Sequence, residues 1–364
     1  MNLRIGRMPK GALNSIGDVP GVRVGHCTID NERHKTGVTV ILPCEDDIFK
    51  QKMVAAQHVL NGFGKTAGLV QIAELGTLET PIALTNTLNV GKVHDAMVEY
   101  MCRQAEANGY AITSVNPIIC ECNDASLNDI RHRAVEQEHV FAAIASAAPT
   151  FAEGDVGAGK GMTCHDLKGG IGTSSRQIEI DGEIFHLGVL VQTNHGSLSD
   201  LRIDGQPVGA EIERRIHEDT PDQGSCIMIV ATDLPVTSRQ LTRIIRRCSV
   251  GLARLGSYIG HGSGEVMIGF STANRIPEKA GCFSLRCIHE SQINMAFRAV
   301  AEATEEAVLR SMYYAGEVTG YSGKVRHSLD TSWISMLQDL HHFPIVQIRS
   351  LRITHVNIHV LILP

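Results

Sequence analysis

Short apolar runs bounded by turn residues alternate along this chain with stretches of helical periodicity, and that alternation limits the fold more than any single residue does. Residues 38–42 (Val-Thr-Val-Ile-Leu) and 82–84 read as buried strands. Residues 93–107 read as a helix with Val93, Met97 and Met101 along one side. Strand character returns over 111–120, and 140–148 is an alanine-rich helix. Two further strands, 177–180 and 185–192, are punctuated by Asp181-Gly182, and 224–231 is another apolar strand. A helix is predicted to open at Thr237-Ser238-Arg239-Gln240, where Thr237 and Gln240 can satisfy each other's backbone donors. Its stripe is Leu241, Ile244, Ile245, Cys248, Leu252 and Leu255. After a strand at 266–270, a long helix spans about 291–314, with Ile293, Phe297, Val300, Thr304, Ala307 and Ser311 facing inward. The prediction is an α/β fold in one domain over 1–330, followed by a tail over 331–364 of different character.

Composition narrows the function classes. The 364 residues suffice for a large core, and 43% hydrophobic with 20% charged residues is ordinary for a soluble globular protein. A net charge of -6 gives no basic excess, so nucleic acid is not an expected partner. No apolar run reaches the length of a membrane span and residues 1–7 lack the apolar core of a signal peptide, so no membrane partner and a cytoplasmic location are expected. The ten cysteines are scattered, without a CxxC pair, and read as buried reduced thiols. The tail carries His341, His342, His355 and His359 but no carboxylate or cysteine at ligand spacing, so no metal and no cofactor are expected.

Four places carry chemical interest. Gly260-His261-Gly262-Ser263-Gly264-Glu265 sets a serine between glycines where a loop enters a strand, a geometry that suits a nucleophile. It also suits a serine whose preceding peptide bond is broken, leaving Ser263 as an N-terminus with its own amine as base; a simple glycine-rich turn is the plain alternative. Asn194, at a strand end before His195-Gly196, can donate to an oxyanion or serve as a turn asparagine. Glu121 follows an apolar strand, where a carboxylate needs either an ion pair or a cationic ligand such as a substrate amine. Thr304, Glu305 and Glu306 place a hydroxyl on the inner stripe of the last helix and two carboxylates beside it. By contrast, Gly154-Asp155-Val156-Gly157-Ala158-Gly159-Lys160-Gly161 imitates a phosphate loop but lacks the Ser/Thr after the lysine and any following helix, and reads as close-packed turns.

Taken in order, segments 14–26, 36–39, 84–87, 154–161, 168–174, 189–196, 231–233, 260–270 and 302–307 resemble the self-processing serine aminopeptidases typified by the L-aminopeptidase/D-esterase DmpA, together with the β-peptidyl aminopeptidases. The resemblance covers roughly residues 11–327. It implies a four-layer α/β/β/α sandwich, similar to N-terminal-nucleophile hydrolases but with different strand connectivity. It implies cleavage between Gly262 and Ser263, giving chains 1–262 and 263–364, with Ser263 attacking the substrate carbonyl. Asn194 matches the family's oxyanion asparagine and Glu121 the glutamate that holds the substrate's amino group. Thr304 and Glu306 match a hydroxyl and a carboxylate that support the nucleophile; they lie about 200° apart around a helix, so Glu305 is a rival. Asn123 stands where DmpA has a tyrosine contributing to the oxyanion hole. The implied substrates are small peptides, amino-acid amides or esters, and the implied assembly is a homotetramer. A self-cleaving acyltransferase of the ornithine-acetyltransferase kind and an unprocessed binding protein are the competing readings.

Overall fold

The strand runs fold into two stacked sheets. A computed structural model describes residues 5–216, 224–279 and 281–329. In chain order they form β1 (Arg23–Asp30), β2 (Lys35–Leu42), β3 (Gln51–Gly62), α1 (Leu69–Leu75), β4 (Thr77–Leu78), β5 (Ile82–Asn86), α2 (Val90–Ala107), β6 (Ile118–Cys122) and α3 (Gln137–Ala145). There follow β7 (Thr163–Cys164), β8 (Leu167–Lys168), β9 (Ile171–Ile180), β10 (Glu183–Asn194), α4 (Gly209–Ile216), β11 (Ser225–Thr232), α5 (Ser238–Ile245), α6 (Cys248–Arg254), β12 (Gly264–Pro277), α7 (Ile293–Tyr313), β13 (Val318–Thr319) and β14 (Val325–Arg326). One sheet has the order β1-β2-β5-β6, the other β4-β3-β12-β11-β10-β9.

Side-chain alternation sorts the layers. Ile227, Ile229 and Ala231 of β11 and Val266, Ile268 and Phe270 of β12 pack against Ile82, Leu84, Ile118, Cys120 and Cys122, forming the core between the sheets. The other face of the first sheet, through Val38, Val40, Ala83 and Ile119, packs on Val93, Ala96 and Met97 of α2 and Val140 and Ala143 of α3. On the second sheet α5 lies over β3 and β12 while α7 lies over β9 and β10. Gly269 is needed there, because a Cβ would sit 2.6 Å from Ile245 of α5. The result is an α/β/β/α sandwich.

Several expectations shift in detail. The capping box forms as predicted, with the Gln240 N–H donating to Thr237 Oγ1 at 3.2 Å and the Thr237 N–H to Gln240 Oε1 at 3.0 Å. The helix it starts is two helices, broken at residues 246–247, and α6 turns onto α7 through Gly251, where a Cβ would lie 2.8 Å from the Ala301 carbonyl. Phe297, placed on the inner stripe, is only half-buried and stacks beneath the Arg247 guanidinium at 3.8 Å. Of the predicted strand at 111–120 only the end exists, as β6, since Pro117 lacks the N–H a ladder needs. None of the ten cysteines is in a disulfide. No helix among the described residues is long and apolar enough to cross a membrane. The histidines of the tail and Trp333 lie outside the described residues.

Candidate active site

The pairing of three adjacent strands assembles the site. Asn194 at the end of β10 pairs with Ser225 at the start of β11, which pairs with Gly264 at the start of β12, which pairs with Gly62 at the end of β3. This row places Asn194 and Ser263 at the same end of the sheet, about two strand spacings (~10 Å) apart. Gly264 must be glycine, since a Cβ would stand 2.7 Å from the Phe63 carbonyl oxygen. At the matching end of the other sheet β6 delivers Glu121. An open cleft of about 530 Å3 lies between, lined among others by Glu121, Asn123, Thr87, Lys65, Asn194, His195 and Gly262.

Ser263 sits directly behind Gly262 and is fully buried. Its N–H donates to the Gly260 carbonyl at 3.0 Å, closing a tight turn. Asn61 Nδ2 donates to both the Gly260 carbonyl (2.8 Å) and the Ser263 carbonyl (2.6 Å), clamping the loop from β3. The Ser263 hydroxyl donates to Glu265 Oε1. The turn is approached through Ile259, whose φ of 62° is a left-handed conformation that a β-branched residue adopts only under constraint.

Asn194 Oδ1 accepts from the Thr163 N–H at 3.0 Å, so its Nδ2 hydrogens are the donors it can offer a ligand. Glu121 Oε1 accepts from the Lys65 N–H at 2.8 Å and Oε2 from the Thr87 hydroxyl. Both partners are neutral, and among the described residues Glu121 makes no ion pair. Asn123 is exposed on the cleft wall with Oδ1 turned back onto the Ala125 N–H at 3.0 Å. His195, beside Asn194, is buried, and burial pushes its pKa down to about 3, so the ring stays neutral. Cys164, His165 and His195 bring donor atoms within 4.8 Å of one another, a group that could hold a metal ion.

Thr304 and Glu306, on α7, do not line the cleft. The Thr304 hydroxyl donates to the Val300 carbonyl of its own helix at 2.7 Å, and its Cβ faces Gly251 of α6. Glu306 is bound by Lys10 Nζ at 2.6 Å, Asn14 Nδ2 at 2.8 Å and the buried Arg176 at 2.9 Å. Burial alone would raise its pKa, but these cations and the amide outweigh that and hold it below the usual glutamate range. Glu305 pairs with Arg254 of α6 at 2.9 Å. Because α7 packs over β9 and β10, Glu302 and Glu306 meet the N-terminal segment and Arg176.

The glycine-dense segment is also structural. Lys160 pairs with Asp155 and Asp30, both at 2.8 Å, and Gly159 packs so closely that a Cβ would be 2.6 Å from the Ile171 nitrogen. Residues that the sequence did not single out include Asn61, Thr87, Glu265 and Arg176. For Glu265 a signal existed, since strand periodicity puts residues 263 and 265 on one face.

A serine between glycines at the head of a central strand, opposite an amide and a carboxylate at the ends of two stacked sheets, defines a hydrolase of the N-terminal-nucleophile kind. The sequence model of peptidase family S58 matches residues 14–326, and the chain belongs to that family. It is 35% identical over 339 residues to the β-peptidyl aminopeptidase BapA of Sphingosinicella microcystinivorans, covering 86% of this chain and 84% of the relative. It is 37% identical over 335 residues to BapA of Sphingosinicella xenopeptidilytica, covering 85% and 83%. Among solved structures it is similar to the PH0078 protein of Pyrococcus horikoshii OT3 (TM-score 0.88, 43% identity, 93% of this chain and 98% of that one). It is also similar to the L-aminopeptidase D-Ala-esterase/amidase of Ochrobactrum anthropi, a variant of the Ntn hydrolase fold (TM-score 0.86, 31% identity, 92% and 96%). The protein is accordingly a hydrolase, an aminopeptidase of the self-processing, N-terminal-nucleophile type.

Proposed function

We propose that the chain is cut between Gly262 and Ser263 and that Ser263, as the new N-terminus, hydrolyses N-terminal residues from small peptides, amino-acid amides or esters. The observation that carries this reading is the cleft itself, lined by Gly262, directly before Ser263 and β12, by Asn194 at the end of β10 and by Glu121 of the other sheet. A free α-amine has a reference pKa of about 7.7–8.0, so it can take the proton of its own hydroxyl near neutral pH. Glu121, a buried carboxylate with only neutral donors, is suited to a substrate ammonium, which would make the enzyme an exopeptidase. Asn194 Nδ2 would donate to the oxyanion of the tetrahedral intermediate. Asn123 offers no aromatic hydroxyl, so backbone donors near Ser263 would complete that hole. The relatives' own names span β-peptides, L-amino-acid substrates and D-Ala esters and amides. The reading includes a homo-oligomer in the cytoplasm.

Intact-mass measurement on the purified protein tests the cut: two chains, 1–262 and 263–364, are expected. A chain that stays whole on incubation would sink the proposal. A panel of amino-acid p-nitroanilides then reads the N-terminal preference.

A further inference from the structure

The uncut chain lacks the amine that would later act as base, so something else must take the Ser263 proton when the Gly262–Ser263 bond breaks. We infer that Glu265 is the catalytic base and acid of this self-cleavage, an inference that rests on the cut proposed above. Three observations carry it. Residues 263 and 265 share a face at the head of β12, and the Ser263 hydroxyl already donates to the Glu265 carboxylate. Both residues are fully buried, so bulk water does not compete for that proton. The loop before them is held in place, with Asn61 bonding the carbonyls on either side of Gly262 and Ile259 kept at a φ of 62°. The strain at Ile259 and the absence of a side chain at Gly262 favour release of that turn.

The step balances as follows. Glu265 accepts the Oγ proton as Oγ bonds to the Gly262 carbonyl carbon, forming a tetrahedral oxyanion. Collapse breaks the bond from that carbon to the Ser263 nitrogen, and the Glu265 carboxylic acid returns the proton to the departing nitrogen. The product is an ester between the Gly262 acyl group and Ser263 Oγ, with a free α-amine. Water entering by the cleft, which Gly262 lines, hydrolyses the ester to the Gly262 carboxylate and the Ser263 hydroxyl.

The test follows self-cleavage by intact mass in Ser263→Ala, Glu265→Gln and Glu265→Ala, with circular dichroism to confirm folding. Ser263→Ala should remain uncut; if it is cut, the proposed function itself fails. With that arm uncut, Glu265→Gln should slow cleavage by about 100-fold or more, the range expected for a general base. Formate or acetate should restore cleavage to Glu265→Ala, which a purely structural role would not allow. Cleavage of Glu265→Gln within about threefold of the unaltered chain, or a folded Glu265→Ala that no small carboxylate rescues, overturns the role of Glu265 while leaving Ser263 standing. If neither Glu265→Gln nor Glu265→Ala folds, Glu265→Asp decides. Its carboxylate is one methylene farther from Oγ, so cleavage should slow at least about tenfold, and an unchanged rate overturns the inference.

Discussion

Two groups of buried carboxylates serve this fold, Glu302 and Glu306 on α7 and Glu121 and Glu265 at strand ends, and their partners differ in kind. Glu302 and Glu306 on α7 face cations, with Arg176 beside both at 3.4 and 2.9 Å and Lys10 on Glu306 at 2.6 Å. Glu121 and Glu265 meet a backbone N–H and hydroxyls. A carboxylate saturated by fixed cations is committed to holding elements together, because removing a partner strands a charge in the interior. Glu121, which meets neutral donors, is not committed to a fixed cation and can receive an incoming ammonium. Resemblance alone gave Glu121 and Glu306 comparable standing; their partners separate them.

The sharpest way to break this comparison is at the nucleophile. Ser263→Ala should abolish both the cut and p-nitroanilide hydrolysis, by about 1000-fold or more, and surviving activity would remove Ser263 from the mechanism. Arg176→Ala should act on the other group, leaving Glu302 and Glu306 unneutralised and lowering unfolding stability by about 3–5 kcal/mol in a denaturant titration. Asn194→Ala should lower kcat by about 100- to 1000-fold, or about 2.7–4 kcal/mol, with folding unchanged. Glu121→Gln should raise KM about 10- to 100-fold for substrates with a free amine, while Glu306→Gln should leave KM where it is; a KM rise in the latter would dissolve the distinction.

The smallest effect concerns His195. Its folded pKa, about 3, lies below its ordinary 6.5, so the unfolded chain binds one more proton between those values. Stability is therefore full above pH 6.5 and falls as pH is lowered towards 3, by about 2 kcal/mol between pH 6.5 and 5. Replacing His195 with Asn should flatten that part of a stability-against-pH curve.

Much of the central sheet was legible because its strands are nearly pure apolar runs: 185–192, 224–231 and 266–270 each fall inside an observed strand or begin within a residue of it. β1 and β3 were not. Their outer halves are exposed, with Val59 and Leu60 among the exposed hydrophobics, so neither an apolar run nor a clean alternation marks them. The missed β3 carries Asn61, and with it went the clamp on the serine loop. Arg176 was hidden in the polar run Thr173-Ser174-Ser175-Arg176, which reads as surface and is buried only because α7 and residues 5–14 bring its partners. Glu121 and Asn194 owed their prominence to the resemblance, as did Thr304 and Glu306. Sequence order preserves which residues recur, whereas helix-on-sheet packing decides which of them meet.

The row Asn194–Ser225–Gly264–Gly62 has a further consequence. Ladder pairing of β12 begins at Gly264, one residue past the proposed scissile bond, so a cut there removes no rung of the sheet. The new chain would keep its first strand between β3 and β11, both of which belong to the old one. A molecule that folded as one chain would thereafter persist as two interlocked ones. Once unfolded, it would have to find its other half by diffusion, so recovery after denaturation would depend on protein concentration after the cut and not before it.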